Sequence, residues 1–241
     1  MRPPRRERKS TTVPTGGGID PRLVAFVDKG GALAEQYRRL RTNLQAHGAG
    51  ATSRIVVVSS ATEKEGKTLT TLNLAAIFAE NRNFKILVVD ADLRKPMIGT
   101  RLGQPPGPGL AELLRGEVTP DRALRPTFLP NLTVLTAGEA PEDAAQLLAS
   151  ERMGNLLDLL RVEYDVILVD TAPVLIAADA GILGAHAEGV LLVVKLHETP
   201  RALVGQALES LGRAGSRVLG CVVTNVKEED VKISAYDYSR E

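Results

Sequence analysis

The 241-residue sequence predicts an α/β fold in which a mostly parallel, twisted sheet carries helices on both faces. Short apolar runs rich in Val, Ile and Leu alternate along the chain with segments of helical periodicity, as in a sheet with crossover helices. These runs lack polar alternation, which is typical of strands buried on both faces. A hydrophobic fraction of 44% supplies enough apolar side chains for such a core.

The elements are predicted in alternating order along one domain. The apolar runs predict strands at 54–59, 85–90, 132–137, 165–170, 189–195 and 217–225. Apolar residues at three- and four-residue steps predict helices at 33–46, 67–80, 109–115, 143–161 and 200–213. The domain is expected at 21–225, after a flexible basic leader at 1–20 and before a loose tail at 226–241.

The composition excludes several classes of function. Thirty basic and 29 acidic residues give a net charge of +1, so no overall field would hold the chain on nucleic acid. Aromatic residues make up 3% of the chain, which argues against a base-stacking surface. No nucleic-acid partner is therefore expected. The single cysteine, Cys221, excludes a disulfide framework and a Cys-based zinc site.

A phosphate-binding loop follows the first predicted strand. The sequence Ala61-Thr-Glu-Lys-Glu-Gly-Lys-Thr68 stands between that strand and a helix, which is the context that a P-loop requires. Backbone N–H groups and the helix N-terminus would face the phosphates, with Lys67 reaching the β- and γ-phosphates and Thr68 binding Mg²⁺. Ala61 replaces the first glycine, and a non-glycine residue held at positive φ would cost about 1 kcal/mol. The alternative is a chance Gly-Lys-Thr at a helix start.

Three aspartates stand at predicted strand ends. Asp90 ends its strand, Asp92 follows two residues later, and Asp170 ends another. In an open parallel sheet, ligands bind beyond the carboxyl ends of the strands, so we expect these carboxylates beside the P-loop. They could hold Mg²⁺ there, and one could accept a proton from an attacking hydroxyl. Capping of a turn or helix is the alternative for a single Asp.

Three further segments carry a family pattern. Ile86-Leu-Val-Val-Asp-Ala-Asp-Leu-Arg-Lys-Pro96 resembles a second Walker A-type motif, and Tyr164-Asp-Val-Ile-Leu-Val-Asp-Thr-Ala-Pro-Val174 resembles a Walker B segment with Ala172 where Pro is more usual. Glu35-Gln-Tyr-Arg-Arg-Leu-Arg41 resembles a Glu-x-x-Arg-x-x-Arg helix. All three are similar to segments of the bacterial tyrosine kinases of the polysaccharide-export type, and the resemblance extends over residues 20–225.

The resemblance implies a cytoplasmic, ATP-dependent tyrosine autokinase of the P-loop NTPase fold, with ATP and Mg²⁺ as cofactors. It places catalysis on Lys67, Asp90, Asp92 and Asp170, and Mg²⁺ binding on Thr68, Asp90, Asp92 and Asp170. Together with the P-loop pattern, the expected ATP-binding residues are Ala61, Glu65, Gly66, Lys67, Thr68, Leu69 and Asn225. Asn225 ends the last strand near the expected position of the adenine, although strand termination explains it equally well.

The family also implies partners. A homo-oligomeric ring would form through Glu35, Arg38 and Arg41, which share one helix face at their three-residue spacing. The alternative is a solvated face with internal ion pairs. The family works with a membrane polysaccharide co-polymerase adaptor that controls chain length and export. That adaptor would hold the protein at the inner face of the cell membrane, and a tyrosine phosphatase is expected to reverse the modification.

The tail supplies the expected phosphate acceptors. Tyr236 and Tyr238 lie in the last six residues, where a mobile segment could reach the active site of a neighbouring subunit. The alternative is that both merely sit in a disordered end. A positioning- or partitioning-type ATPase is a rival function, but such proteins carry a second lysine where this chain has Thr62. A non-catalytic, ATP-binding regulator of the adaptor is the other rival.

Overall fold

Seven strands form one sheet in the computed structural model, which describes residues 18–28, 30–47, 54–227 and 230. The strands are β1 Arg54–Ser60, β2 Ile86–Asp90, β3 Leu124–Pro126, β4 Leu132–Leu135, β5 Val166–Asp170, β6 Gly189–Lys195 and β7 Val218–Thr224. Their spatial order is β3-β4-β2-β5-β1-β6-β7. Neighbouring strands are parallel except at the β3–β4 edge. The predicted mostly parallel sheet is confirmed.

Helices cover both faces of this sheet. They are α1 Val24–Val27, α2 Ala32–His47, α3 Lys67–Phe78, α4 Ile98–Arg101, α5 Leu110–Arg115, α6 Pro120–Ala123, α7 Ala144–Leu148, α8 Glu151–Glu163, α9 Asp179–Gly184 and α10 Arg201–Arg213. Alternate residues of β1 enter opposite cores: Ile55 and Val57 join one apolar cluster, whereas Val56 and Val58 join the other. Because both faces are buried, the middle residues of the central strands are apolar without polar alternation, as the sequence predicted.

Two of the differences between the predicted and the observed elements have a local cause. The single helix predicted at 143–161 is two helices, because Ser150 is extended and its hydroxyl donates to the Leu147 carbonyl at 2.6 Å. The short antiparallel strand β3 was not predicted. It ends at Pro126, which cannot donate to a ladder and is tolerated at a sheet edge.

The ends of the chain are described only in part. Asp20, inside the predicted leader, accepts hydrogen bonds from Arg22 and Arg101, and its backbone N–H donates to the Arg101 carbonyl at 3.0 Å. Residues 1–17 and the predicted acceptors Tyr236 and Tyr238 lie outside the described residues. Among the helices that the structure does describe, none combines the length and hydrophobicity needed to cross a bilayer.

Candidate active site

The carboxyl edge of the three central strands brings the predicted groups together. β1 leads into the P-loop, β2 ends at Asp90 and β5 ends at Asp170. Asp90 and Asp170 are direct partners in the β2–β5 register, so their carboxyl groups lie on adjacent strands at one level. Asp90, Asp92 and Asp170 are all buried. Asp92 and Asp170 contact Lys67 and Thr68 of the P-loop, and the catalytic and metal-binding roles of the three carboxylates remain predictions.

The P-loop backbone contains one strained residue, but not the predicted one. Ala61 is fully buried and does not adopt positive φ. Lys64, in the interior of the loop, has a φ of 62°, and Gly66 has a φ of 99° just before α3 begins. A side chain at Gly66 would also contact the Thr224 methyl group at 3.4 Å. The left-handed turn and this close approach together explain why glycine stands before Lys67.

Glu65 braces the P-loop from inside. Its buried carboxylate accepts hydrogen bonds from the backbone N–H groups of Ala61 and Thr62 at 3.2 and 3.1 Å. The hydroxyls of Thr62 and Thr199 donate to it at 2.6 and 2.9 Å. The side chain of Glu65 is therefore engaged with the loop itself. The predicted contact between Glu65 and a nucleotide would therefore be made by its backbone N–H group and not by its carboxylate.

Lys67 is the buried cation of the site. Its Nζ lies 2.9 Å from Oδ2 of Asp92, and the two side chains are 15% and 4% exposed. Burial alone would lower the pKa of Lys67, but the charges of Asp170 and Asp92 outweigh burial and raise it. Lys67 therefore stays protonated and can neutralise phosphate oxygens. In the structure it neutralises Asp92.

Thr68 links the start of α3 to β5. Its hydroxyl donates to Oδ2 of Asp170 at 2.6 Å, and Thr71 donates to the other oxygen at 3.3 Å. Burial raises the pKa of Asp170 to about 6, against the opposing Lys67 charge and the Thr68 hydrogen bond. A hydroxyl and a carboxylate held together in this way form an oxygen donor pair suited to Mg²⁺.

Asp90 has one engaged oxygen and one without a partner. Its Oδ2 accepts backbone hydrogen bonds from Met97 and Ile98 at 3.1 and 2.9 Å. Its Oδ1 is buried and has no hydrogen-bond partner in the described part of the chain. Burial and the Asp170 charge raise the pKa of Asp90 well above its ordinary value. An orphaned buried oxygen of this kind fits a position that takes a metal ion or a proton.

Mg²⁺ fits this donor set only together with phosphates. Among the described residues, no group of three or more His, Cys, Asp or Glu side chains is arranged to hold a metal ion by itself. Mg²⁺ commonly takes one or two protein carboxylates, and substrate phosphates and water complete its shell. The predicted ligands Thr68, Asp90, Asp92 and Asp170 would supply the protein oxygens.

A cavity of about 590 Å³ opens over the P-loop and the strand ends. Its wall is strongly basic, as expected for a polyphosphate site. The charged lining residues are Arg22, Lys64, Lys67, Arg94, Lys95, Arg101 and Lys195, with Glu63 and Asp92. Of the basic residues, only Lys67 was predicted as a site residue. The Asp-Leu-Arg-Lys-Pro run could have signalled Arg94 and Lys95, whereas no local pattern marks Arg22, Arg101 or Lys195.

Comparison with known proteins identifies the family. A model described as an AAA domain matches residues 53–214. The tyrosine-protein kinase YwqD of Bacillus subtilis (strain 168) is 34% identical over 223 residues, which make up 92% of this chain and 93% of YwqD. The chain belongs to the bacterial tyrosine-protein kinases. The kinase domain of the Escherichia coli tyrosine kinase ETK superposes on this kinase with a TM-score of 0.80 at 26% identity, covering 94% of this chain and 87% of that one.

Longer proteins also contain this domain. The succinoglycan biosynthesis transport protein ExoP of Rhizobium meliloti (strain 1021) is 33% identical over 209 residues. The match covers 85% of the kinase and 26% of ExoP. The kinase therefore spans nearly the whole of YwqD but about a quarter of ExoP.

Asn225 of the kinase lies just beyond β7. It has a φ of 60°, and its side-chain amide donates to the Leu196 carbonyl at 3.0 Å. It does not line the cavity over the P-loop. The contact between Asn225 and an adenine remains a prediction, and in the structure the side chain fastens the end of β7 to the end of β6.

The Glu35, Arg38 and Arg41 face of α2 lies against α3. Arg38 donates to both carboxylate oxygens of Glu80, at distances down to 2.6 Å. Arg41 donates to Glu80 at 3.3 Å and to the Ile77 carbonyl at 2.6 Å. Glu35 pairs with Arg38 at 3.1 Å, and its side chain is 56% exposed. Internal ion pairs are thus present within one chain, and the predicted role of this face in a ring remains a prediction.

Proposed function

We propose that the kinase transfers the γ-phosphoryl group of ATP to Tyr236 and Tyr238 of a neighbouring copy of the same chain. The observation that carries this proposal is the meeting of Lys67, Asp90, Asp92 and Asp170 at one edge of the sheet, where Lys67 and Asp92 line a basic cavity. The basic side chains of this cavity would bind a polyphosphate. The carboxylates beside it could bind a metal ion and accept a proton. That combination suits phosphoryl transfer.

In the proposed reaction, a tyrosine oxygen attacks the γ-phosphorus of ATP, and the bond from that phosphorus to the β–γ bridging oxygen breaks. ADP leaves with the electron pair of the broken bond. Asp90 takes the phenolic proton on Oδ1, which has no partner among the described residues, because burial and the Asp170 charge favour the protonated form of this carboxyl group. Lys67 turns from Asp92 to the phosphates and neutralises charge that develops there.

Mg²⁺, when bound, would neutralise phosphate charge and orient the phosphates. Thr68, Asp90, Asp92 and Asp170 are the proposed protein ligands, directly or through water. The backbone N–H groups at the start of α3, from Gly66 to Leu69, would cradle the phosphates. Asn225 would lie at the opposite end of the nucleotide, beside the base.

We further propose a ring of identical chains, with the α2 face of Glu35, Arg38 and Arg41 at the contact between neighbours. Each tail would then reach the next active site. Phosphorylation adds about −1.5 to −2 charges per tyrosine, so like-charge repulsion should loosen the ring. Mass photometry of phosphorylated and unphosphorylated protein tests this step, and an unchanged assembly would contradict it.

The cellular role we propose is regulation of exopolysaccharide or capsule production and export at the inner face of the cell membrane. A membrane adaptor of the polysaccharide co-polymerase class would hold and activate the kinase, and a tyrosine phosphatase would reset the tail. The name of ExoP, a succinoglycan biosynthesis transport protein, supports a polysaccharide pathway.

The test is phosphate mapping on the purified full chain with Mg²⁺ and ATP. Wild-type protein should carry phosphate on Tyr236 and Tyr238 and none on Tyr37 and Tyr164, which are partly buried against the two cores. The Lys67→Met variant should lose this phosphate. Lys85→Met is the matched control, since Lys85 is an exposed lysine outside the cavity, and it should retain wild-type phosphorylation.

Other outcomes would redirect the proposal. Lys67-dependent release of inorganic phosphate without phosphotyrosine would favour an ATPase of the positioning or partitioning type. Absence of both signals, even with a cytoplasmic segment of an adaptor added, would favour a nucleotide-binding regulator.

A further inference from the structure

Arg94 and Asp179 form an ion pair at the rim of the nucleotide cavity. Arg94 follows β2 and lines the cavity, and its guanidinium donates to Oδ2 of Asp179, the first residue of α9. The two residues are 85 positions apart in the sequence. The Arg94 side chain is 38% exposed, whereas the Asp179 side chain is 0% exposed. The cation thus faces the cavity, and its anchor is buried beneath it.

Burial makes Asp179 a costly residue to keep charged. Its second oxygen, Oδ1, is buried and has no hydrogen-bond partner among the residues that the structure describes. Burial raises the pKa of Asp179, and the Arg94 charge opposes that shift. A half-satisfied buried carboxylate is a poor device for stability, because its desolvation offsets much of the attraction to its partner. Its value must lie in where it holds Arg94.

The sheet order places Arg94 at one end of the cavity. From β2 through β5 and β1 to β6, the strand ends present Arg94, Asp170, the P-loop and Lys195 in turn. In the proposed function the base lies on the β6–β7 side, beside Asn225. The phosphate chain would then run past the P-loop toward β5 and β2, and its terminal phosphate would lie nearest to Arg94.

We propose that Asp179 is a positioning residue that holds the Arg94 guanidinium over the terminal phosphate of ATP. This inference rests on the proposed function, because it uses the proposed orientation of the nucleotide. A guanidinium has five N–H donors in a planar fork, and its contact with Asp179 leaves donors for phosphate oxygens. The buried anchor also keeps Arg94 from closing onto Asp92 or Asp170 before ATP binds.

A second ion pair on the same wall of the cavity differs in the exposure of its carboxylate. Lys95 pairs with Glu63 at 2.6 Å, but the two side chains are 68% and 39% exposed. Solvent competes for both partners there, so the pair cannot fix the ammonium in one position. Of these two pairs, the Arg94 pair is the one whose carboxylate is fully buried.

The experiment measures the ratio of ATP affinity to ADP affinity by calorimetry on the full chain with Mg²⁺. The Asp179→Asn variant should lose about tenfold in this ratio, since a misplaced Arg94 no longer distinguishes the terminal phosphate. Arg94→Gln should lose a similar factor. The double variant should lose no more than Arg94→Gln alone, because Asp179 acts through Arg94. A purely structural role for Asp179 would lower the melting temperature and leave the ratio unchanged.

Asp143→Asn is the matched control. It makes the same change of charge in an exposed ion pair, with Arg115 at 3.5 Å, and Asn also suits the start of α7. Its ATP-to-ADP ratio should equal that of the wild type.

Several results would overturn the inference. An unchanged ratio of ATP to ADP affinity in a folded Asp179→Asn variant would overturn it. A double variant that loses the product of the two single-variant factors would also overturn it. If Asp179→Asn does not fold, Arg94→Gln and Arg94→Lys carry the test, and an unchanged ratio in both would overturn it. Wild-type protein that binds ATP and phosphorylates its tail while these ratios stay unchanged would refute this inference alone. Wild-type protein that does not bind ATP would overturn the proposed function as well.

Discussion

The buried carboxylates Asp90 and Asp170 at the carboxyl edge of the sheet and the carboxylate Glu80, held by two arginines of α2, have pKa values that shift in opposite directions. Burial raises the pKa of Asp90 and Asp170. On the other face, hydrogen bonds from Arg38 lower the pKa of Glu80. For Asp90 and Asp170, desolvation has the largest influence on the pKa. For Glu80, the hydrogen bonds donated by Arg38 have the largest influence.

The opposite pKa shifts show that charged residues stabilise one part of this fold and destabilise another. Glu80 is 23% exposed, so water still solvates it while two arginines hold it. Asp170 is buried and shares its surroundings with Asp90 and Asp92, so its charge opposes folding in the absence of a ligand. We therefore expect the α2–α3 cluster to stabilise the kinase and the carboxyl edge to lower its stability in return for function.

The largest expected effect is that of Asp170→Asn. Phosphoryl transfer should fall on the order of 10³-fold, because a proposed metal ligand and negative charge are lost. At pH 8 and without nucleotide, the melting temperature should rise, because the variant no longer buries that charge. A phosphate-transfer assay and a thermal melt check the two halves. A variant that melts below the wild type at pH 8 would contradict the comparison.

The pH dependence of the melting temperature of the same variant tests whether the charge of Asp170 destabilises the fold. The pKa of Asp170 is about 6 in the folded chain, against an ordinary value of 3.8. Its favourable contribution is therefore complete below pH 3.8 and is lost as pH rises through about 6. The gain in melting temperature from Asp170→Asn should be small at pH 4, should grow up to about pH 6 and should level off above it. A gain that is constant across this range would exclude titration of Asp170 as its cause.

Glu80→Gln should have a smaller effect of the opposite sign. Loss of charged hydrogen bonds from Arg38 and Arg41 should cost about 1 kcal/mol after allowance for solvent, or about 2–4 °C in melting temperature. Because the pKa of Glu80 is lowered, this stabilisation is present above its ordinary value of 4.5 and is lost as pH falls through the lowered value. Glu35→Gln is the control, since it removes a more exposed pair with the same Arg38 and should cost less.

Glu209→Gln should have the smallest effect. Glu209 and Arg213 lie 3.8 Å apart on α10 and are 74% and 73% exposed. Solvent screening should leave the melting temperature within about 1 °C of the wild type. A change in melting temperature as large as that of Glu80→Gln would show that the contribution of these ion pairs does not depend on their burial.

Much of the fold could be predicted from local patterns. Apolar runs such as 166–169 are long and unbroken enough to identify central strands, and the Gly66–Lys67–Thr68 step identifies the turn into α3. The short elements β3 and α9 were missed, because three to six residues carry too little periodicity to separate a strand or helix from a loop.

Local patterns are enough to predict the parallel sheet, the P-loop and the position of the carboxylates, because hydrophobic period and strand-end position are local properties of the chain. Which charges meet depends on tertiary packing. Arg94 contacts Asp179, Arg101 contacts Asp20, and Arg38 contacts Glu80 across 42 to 85 positions of sequence. Those pairings, and the burial that decides whether a charge stabilises or destabilises the fold, arise when segments distant in the sequence pack together, and no single segment encodes them.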